Sequence, residues 1–474
     1  MPPGLSTILP AHCPICCDTV QNRVEIDGFE DGPPGGMDVA QRLEALRRRR
    51  MAWATMQFTT REVISQRDQG HLVVYSGRSI ILHGETQLCI KQFPSAYRGG
   101  SPREWRVDIL DTMLDLAVDW SQDLLVIFEK RECTPEDPPY FRLLAASTGQ
   151  GHPTALQPQL PIPALRSFDM EGEIRNGVIV AGEYVGIQVE EGTERLLVYN
   201  WKSSVLVLDT EGYVAFGYTF LAEHYLLLVH PDEEGSTLRI SVIDLRKQLD
   251  TPEVNLFDLH MACQLLLPEF TSGAPYQVNT QQLGVQSRRS NIPFVAKNHL
   301  VKIELLYNEE EAALLIPEST ILRYLQSVDS SERIVSWEEW SRYGCRLFNT
   351  LDLDFSPNTN GMSAIVSDGF PAPTITLYDF SPIGVRKYLH DVKAGTAAPG
   401  MTYSKSSEYI QYIDPGDESR LLTTLPARCV EIPPEHLPHP IYGNNPLDII
   451  LSDDMITLFY RLDDGSQEYH VLTF

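Results

Sequence analysis

Between residue 71 and the C-terminus, short apolar runs alternate with turn-forming residues. The runs are rich in β-branched and aromatic residues and are separated by Gly, Pro, Asp and Asn, which is the pattern of β-strands joined by tight turns. Ten strands are predicted before residue 246: His71–Tyr75, Ser79–Leu82, Asp123–Phe128, Tyr140–Ala145, Gly177–Val180, Tyr184–Val189, Arg195–Tyr199, Val205–Leu208, Tyr225–Val229 and Leu238–Leu245. No convincing long helical pattern interrupts them, which excludes βαβ folds because parallel crossovers usually need a helix.

Three strand-like runs end in aspartate, at Asp209, Asp244 and Asp379. An aspartate leaving a strand accepts hydrogen bonds from the N–H groups of the following turn, so all three are predicted to stabilise turns. Asp209 and Asp244 are separated by about the length of one propeller blade. A closed ring also hides the many strand edges of such a chain. We therefore predict an all-β fold, an irregular β-propeller of about six to seven blades, with a pair of β-sandwiches as the alternative.

Two later segments refine this picture. Residues 271–298 are polar and poor in strand-forming residues, which predicts a long surface loop. Met455–Arg461 and Tyr469–Phe474 flank the turn signal Asp463-Asp464-Gly465, which predicts a hairpin. Because this hairpin ends at the C-terminus, it is a candidate for the strands that close the ring.

The N-terminal region has a different texture. Residues 1–36 are rich in Pro and Gly and show no periodicity, whereas an apolar stripe at helical spacing runs through residues 39–56. Asp38 and Gln41 have the spacing of a capping box at the start of this amphipathic helix. The predicted organisation is an irregular head (1–36), a helix and linker (37–66) and a propeller-like domain (67–474).

Composition narrows the class of function. The 474 residues are 43% apolar and contain 38 Lys or Arg against 64 Asp or Glu, a net charge of −26. Such a chain can bury a large core, and its acidity argues against nucleic-acid or anionic-lipid binding. No apolar run is long enough to span a bilayer. The eight cysteines, three close together near the N-terminus and five scattered, do not form a disulfide framework. We expect a monomeric protein of the cytoplasm or nucleus.

Catalytic and metal-binding signatures are weak. The nucleophile-elbow, P-loop and dinucleotide-binding glycine patterns are absent from the sequence. Cys13, Cys16 and Cys17 with His12 resemble half of a zinc site, but no second ligand pair has suitable spacing. His436 and His439 lie among prolines. We predict no catalytic residue, no metal and no cofactor, and therefore a protein that is not an enzyme.

Two clusters are candidates for contacts with a protein partner. One is a basic run on the predicted helix, and the other is a pair of tryptophans in an acidic stretch interpreted as an exposed loop. Their members are Arg47, Arg48, Arg49, Arg50, Trp337, Glu338, Glu339 and Trp340. Tryptophan and arginine are the residue types that most often anchor protein interfaces.

The region from Asn22 to Trp53 resembles the segment that follows the F-box in a large family of basidiomycete F-box proteins. The matching features are Gly28-Phe29-Glu30-Asp31-Gly32 and a helix carrying Arg42-Leu43, Leu46-Arg47 and Trp53. The resemblance continues through three later motifs, which are DLAVDWSQDLLVIFE followed by YFRLLAASTGQGHP, the W-x-x-W pair followed by Cys345-Arg346, and ITLYDFSPIGVRKY at 375–388.

The resemblance implies a non-catalytic substrate-recognition subunit of a cullin-type (SCF) ubiquitin ligase. Its partners would be a protein substrate and the ligase adaptor. Only 21 residues precede the matching segment, without the leucine-rich helices of an F-box, so the box is expected to be truncated or replaced. The alternatives are an orphan propeller scaffold without ligase association and a propeller-fold hydrolase.

Overall fold

The computed structural model describes 24 separate parts of the chain. They are residues 29–31, 38–65, 71–95, 101–131, 137–166, 173–191, 193–211, 217–222, 224–232, 237–247, 252–268, 277–281, 294–296, 298–307, 310–326, 334–349, 357–368, 374–397, 400–414, 417–432, 448–452, 454–462, 464 and 466–474. The cysteines at 13, 16 and 17 and the histidines at 436 and 439 lie outside these residues.

The described N-terminal elements are strand β1 (Phe29–Asp31), helix α1 (Val39–Thr55) and strand β2 (Thr60–Ser65). The capping box forms as predicted, because the Asp38 carboxylate accepts from the Gln41 N–H and the Gln41 side chain accepts from the Asp38 N–H. Helix α1 ends at Met56, whose backbone is left-handed. This local sequence therefore fixes the start of the helix by itself.

Seven antiparallel sheets form the blades of a β-propeller. The strands of blades 1 to 3 are β3–β6 (His71–Ser76, Ser79–His83, Gln87–Gln92, Arg103–Asp108), β7–β10 (Thr112–Asp119, Leu124–Lys130, Tyr140–Ala145, Gln159–Pro161) and β11–β14 (Glu173–Ala181, Tyr184–Glu191, Thr193–Asn200, Val205–Glu211). The strands of blades 4 and 5 are β15–β18 (Gly217–Leu221, Tyr225–Pro231, Leu238–Asp244, Cys263–Leu266) and β19, β21, β22 and β24 (Gln277–Gln281, Leu300–Tyr307, Glu310–Pro317, Arg346–Asn349). Those of blades 6 and 7 are β25, β26, β27 and β31 (Asn358–Asn360, Ser363–Asp368, Thr374–Asp379, Ala427–Glu431) and β32–β34 (Asp448–Leu451, Met455–Arg461, Gln467–Thr473) with β2.

The ring is closed by strands from both ends of the chain. Strand β2 pairs antiparallel with β34, from Thr60 opposite Thr473 to Ser65 opposite Glu468, and supplies the fourth strand of blade 7. The C-terminal hairpin β33–β34 is formed as predicted. Strand β2 lies in the segment predicted as helix and linker, so the ring takes in residues before position 67. Its partner could not be read from sequence because the two strands lie at opposite ends of the chain.

Each of the ten predicted strands overlaps an observed strand, and the seven-bladed ring with an N-terminal helix confirms the predicted fold class. The long loop predicted over 271–298 is wrong in part. Strand β19, the first strand of blade 5, and strand β20 (Phe294–Ala296) lie within it. Strand β20 pairs with β1. The two strands are far apart in sequence, so no local pattern predicts this pairing.

The described residues also contain three α-helices beyond α1, in a region where the sequence shows no convincing long helical pattern. They are α2 (Glu318–Gln326), α3 (Trp337–Gly344) and α4 (Pro382–Ala394). For α4 the signals were present, since Ser381 caps the first turn, Pro382 is the first helical residue and Gly395 ends the helix in a left-handed conformation. These capping signals follow directly after the strand-like run that ends at Asp379, and no helix was predicted from them.

Apolar side chains fill the spaces between neighbouring blades. One cluster joins blades 4 and 5 to helices α2 and α3, and another joins blades 6 and 7 to helix α1. In the second cluster the ring of Trp53 stacks on the ring of Phe474, with centroids 3.9 Å apart. Helix α1 is therefore part of the folded core at the seam where the two chain ends meet.

A histidine at this seam predicts a pH-dependent stability. Arg61 Nη2 lies 3.1 Å from His470 Nδ1. Because a guanidinium only donates, this nitrogen must be unprotonated. Burial is the main cause that lowers the pKa of His470. A lowered folded-state pKa gives a stabilisation that is complete above the unfolded pKa of about 6.5 and is lost as pH falls. We expect His470→Asn to lower the melting temperature at pH 7.5, with a smaller difference from wild type at pH 5.

The matched control is His390→Asn, which changes an exposed histidine on helix α4. It should melt like wild type at both pH values. A difference between wild type and His470→Asn that stays constant from pH 7.5 to pH 5 would contradict a neutral histidine at the seam.

Candidate functional site

The helices of the described chain share one position in the blade repeat. Helices α2 and α3 lie between the third and fourth strands of blade 5, and α4 lies between those of blade 6. Helix α1 directly precedes β2, the fourth strand of blade 7. In an antiparallel blade the third-to-fourth connections all leave at the same end. The helices therefore lie on one face of the ring, over blades 5 to 7. We call this part of the surface the helix-bearing face.

The same connections carry additional strands. Strand β23 (Ile334–Val335) pairs in parallel with the outer strand of blade 4, and β28 (Met401–Ser404) adds a fifth strand to blade 6. Strands β29 (Ser407–Asp414) and β30 (Asp417–Thr423) form a hairpin beside the outer strand of blade 5. The insertions thus extend the outer edges of three neighbouring blades.

Exposed apolar side chains concentrate on these insertions. Among the described residues, seven of the eleven exposed large apolar side chains belong to α1 or to the third-to-fourth connections of blades 5 and 6; these seven are Met51, Ile334, Tyr343, Leu389, Val392, Tyr403 and Leu422. Isolated exposed apolar residues are ordinary, but a concentration on one part of a surface is typical of interaction sites. The helix-bearing face is therefore the candidate functional site.

The tryptophan pair does not form the exposed contact predicted from sequence. Trp337 and Trp340 lie on α3 rather than in a loop, and both are buried against blades 4 and 5. Trp340 Nε1 donates a 2.8 Å hydrogen bond to the backbone oxygen of Leu266. Their i, i+3 spacing places them on one side of the helix, while Glu338 and Glu339 are exposed.

The residue of this helix best placed for a contact was missed. Tyr343 is 71% exposed, and the guanidinium of Arg342 lies 5.4 Å from the centre of its ring. The backbone oxygen of Arg342 accepts a 3.0 Å hydrogen bond from the Thr424 N–H, which ties α3 to the end of β30. Once the helix is recognised, its periodicity places Tyr343 outside.

The four arginines of α1 divide into two pairs. Arg47 and Arg48 are exposed, and Arg48 Nε lies 3.1 Å from Glu44 Oε1, an i, i+4 ion pair. Arg49 and Arg50 are partly buried, and Arg49 Nε lies 3.8 Å from the buried carboxylate of Asp454 in the first turn of blade 7. The first pair remains accessible for a partner, and Arg49 contributes to docking of α1 on the ring.

The charge of the helix-bearing face is uneven. Helix α1 contains five arginines and one glutamate, and residues 382–406 contain four Lys or Arg and one Asp. Helix α3 instead exposes Glu338, Glu339 and Arg342. In a chain with a net charge of −26, blades 6 and 7 therefore present two basic elements on one face.

Two of the three predicted turn aspartates accept from the following turn. Asp244 Oδ1 accepts from the backbone N–H of Arg246 at 3.1 Å and from its side-chain Nε at 2.9 Å, and these bonds lower the pKa of Asp244. Asp379 Oδ1 accepts from the Ser381 N–H at 2.9 Å and Oδ2 from Arg428 Nη2 at 2.7 Å. Both carboxylates thus join a turn to a cation.

Asp209 has a different role from the predicted one. Its carboxylate is 1% exposed and accepts from Arg195 Nε at 2.6 Å and Arg195 Nη2 at 2.7 Å. This bidentate pair joins the third and fourth strands of blade 3, and Arg195 Nη1 also donates to the backbone oxygen of Ala164 at 3.1 Å, after blade 2. Asp209 is therefore half of a buried ion pair.

The first strand of blade 2 carries a partly buried carboxylate, Asp115, that joins neighbouring blades. Asp115 Oδ2 accepts from the Val178 N–H at 2.5 Å, and Tyr218 Oη donates to the Gly177 oxygen at 2.8 Å. Burial raises the pKa of Asp115. These contacts connect the first strands of blades 2, 3 and 4. In the described parts of the chain, no three His, Cys, Asp or Glu side chains are grouped as metal ligands.

Comparisons with known proteins return solved structures alone. No family model matches the chain, and no curated protein matches it. Among the similar structures are the C-terminal WD40 domain of Sif2 (8% identity, TM-score 0.40, 87% of this chain and 97% of that chain) and an uncharacterised protein, lmo1340, from Listeria monocytogenes EGD-e (7% identity, TM-score 0.33, 66% and 80%). The seven-bladed assignment rests on the strand pairing. None of the helices in the described chain is long and apolar enough to cross a membrane.

Proposed function

We propose that this chain is a non-catalytic protein-interaction module that holds a protein partner on its helix-bearing face. The observation that carries the proposal is the concentration of exposed apolar side chains on the insertions of blades 5 to 7. Those side chains stand on helices and edge strands anchored in the core by buried residues such as Trp53 and Trp340. A rigid, partly apolar surface is suited to binding because little conformational entropy is lost there.

The finer proposal is a substrate-recognition subunit of a cullin-type (SCF) ubiquitin ligase. It is supported by the four motifs shared, in order, with the basidiomycete F-box family. The first motif includes Trp53, which stacks on Phe474 and so helps to hold α1 against the ring. In this role the protein makes no covalent change itself and positions a substrate for the ligase.

Photo-crosslinking tests the interaction function. A photoreactive amino acid placed at Tyr343 or Val392, on the helix-bearing face, should crosslink to a discrete protein in native extract. The matched controls are Leu110 and Val205, which are equally exposed apolar positions elsewhere on the ring, and these should give no such product. Identical crosslinked bands from all four positions would contradict a binding role for this face.

Co-purification with the ligase adaptor tests the finer function. The full chain should retain the adaptor, and a chain lacking residues 1–37 should not, because that deletion preserves α1 and β2 and removes what precedes them. Retention only after fusion of a family F-box ahead of residue 22 would favour the orphan scaffold. No retention by either form would contradict the ligase role while leaving the binding face untouched.

A further inference from the structure

We propose that the surface formed by helix α4 and strand β28 binds an acidic peptide segment carrying large apolar side chains. This inference rests on the proposed interaction function and names the chemistry of the partner. It concerns blade 6, where the insertion between the third and fourth strands contains both elements.

The apolar part of this surface begins in the core and continues into solvent. At the start of α4, Val385 is buried, whereas Leu389 and Val392, four and seven residues later, are 37% and 48% exposed. Residues at these intervals lie along one side of a helix. The stripe therefore runs beyond the point at which the ring covers it.

Strand β28 lies against α4. Tyr388 Oη donates a 3.1 Å hydrogen bond to the backbone oxygen of Met401, and Met401 also packs against the cluster that contains α1. Tyr403, two residues further along the strand, is 38% exposed. Helix α4 and strand β28 are thus held together, next to the cluster that contains α1.

The polar residues around this stripe are predominantly basic. Arg386 and Lys393 on α4 and Lys405 just after β28 are exposed. The carboxylate on α4 is that of Asp391, whose side chain is 28% exposed. A basic border around apolar positions is complementary to acidic residues around apolar anchors, and the strongly acidic remainder of the chain would repel acidic segments elsewhere.

An acidic peptide fits this surface better than an anionic membrane. The exposed apolar positions are three side chains on a helix and a short strand, and the chain as a whole carries a net charge of −26, which opposes approach to an anionic bilayer. A peptide is small enough to contact only this basic and apolar surface, without approaching the acidic remainder of the chain. Rim charges of this kind mainly set the rate and specificity of association, and apolar anchors supply most of the affinity.

Selection from a random peptide library displayed on phage, with the full chain as bait, tests the inference. Recovered peptides should be net acidic with at least two large apolar residues. A synthetic copy of a recovered peptide should bind the Arg386→Glu/Lys393→Glu/Lys405→Glu variant about tenfold more weakly than wild type, equivalent to about 1.4 kcal/mol. The Leu389→Ser/Val392→Ser variant should show a similar loss of affinity. The control variant Arg106→Glu/Leu110→Ser, which changes an exposed cation and an exposed leucine near blade 1, should bind within about twofold of wild type.

Several outcomes would overturn the inference. They are recovery of neutral or basic peptides, no enrichment at all, and equal binding to the charge-reversed variant with an unchanged melting curve. Binding to phosphatidylserine vesicles without acidic-peptide enrichment would assign the surface to a membrane. Peptides lost with Tyr343→Ser and retained by the α4 variants would move the site to α3, leaving the proposed interaction function intact.

Discussion

Deleting residues 1–65 is expected to abolish cooperative folding of the ring. The deletion removes β2, the fourth strand of the closing blade, and the whole of α1. It uncovers the edge of β34 and takes five buried side chains, Ala45, Leu46, Trp53, Met56 and Ile64, out of the core. Loss of one large core side chain such as Trp53 costs about 3–5 kcal/mol, and the total stability of a domain is about 5–15 kcal/mol.

Thermal melting followed by circular dichroism, together with size-exclusion chromatography, measures this effect. We expect the chain 66–474 to show a broad transition, or to aggregate through its open edge. A chain lacking only residues 1–37 is the control and should melt sharply, because it retains α1 and β2.

A permuted chain separates the role of the strand from that of chain length. Because Thr60 lies opposite Thr473, residues 59–65 can be attached behind Phe474 through an Asn-Gly turn. This permutant of 66–474 should recover part of the cooperativity without α1. A sharp transition of the unmodified 66–474 chain at the wild-type temperature would show that closure by β2 is dispensable.

The substitution Arg195→Met is expected to destabilise the protein by about 3–5 kcal/mol, because it leaves a buried carboxylate without its cation. Asp209 is almost completely buried and is bonded by two nitrogens of Arg195. The urea midpoint should fall accordingly. The double variant Arg195→Met/Asp209→Leu should recover most of the loss, since apolar replacement of a whole buried pair is often neutral or stabilising.

The comparison with Asp244 distinguishes an ion pair from a turn. Asp244 also bonds an arginine, but the side chain of Arg246 is 57% exposed, so Arg246→Met should lower the urea midpoint much less than Arg195→Met. Equal effects of the two substitutions, or a double variant no better than Arg195→Met alone, would show that Asp209 does not depend on its cation.

The tryptophan pair illustrates how a local pattern can mislead. The acidic Trp337-Glu338-Glu339-Trp340 stretch, in a region dominated by strands, indicates an acidic loop with an exposed aromatic contact. These four residues instead begin a helix of eight residues, which buries both tryptophans and leaves both glutamates exposed. The spacing contains that information, but only if the helix is recognised in a region dominated by strands.

The basic run on α1 was partly predictable. Its helix, N-cap and capping box were predicted correctly because they depend on residues close in sequence. The division into exposed Arg47 and Arg48 and partly buried Arg49 and Arg50 depends on where Asp454 of blade 7 lies. That placement follows from the closure of the ring, and no pattern within α1 indicates it.

The sequence by itself determined features that depend on neighbouring residues, namely the ten predicted strands, the C-terminal hairpin and the capped helix. It also indicated a propeller, because a closed ring hides the edges of many short strands. Only the tertiary structure decided which distant segments meet: β2 with β34, Asp209 with Arg195, and α4 with β28. The physical reason is that local propensity and turn chemistry act over a few residues, whereas pairing across hundreds of residues depends on the packing of the whole ring.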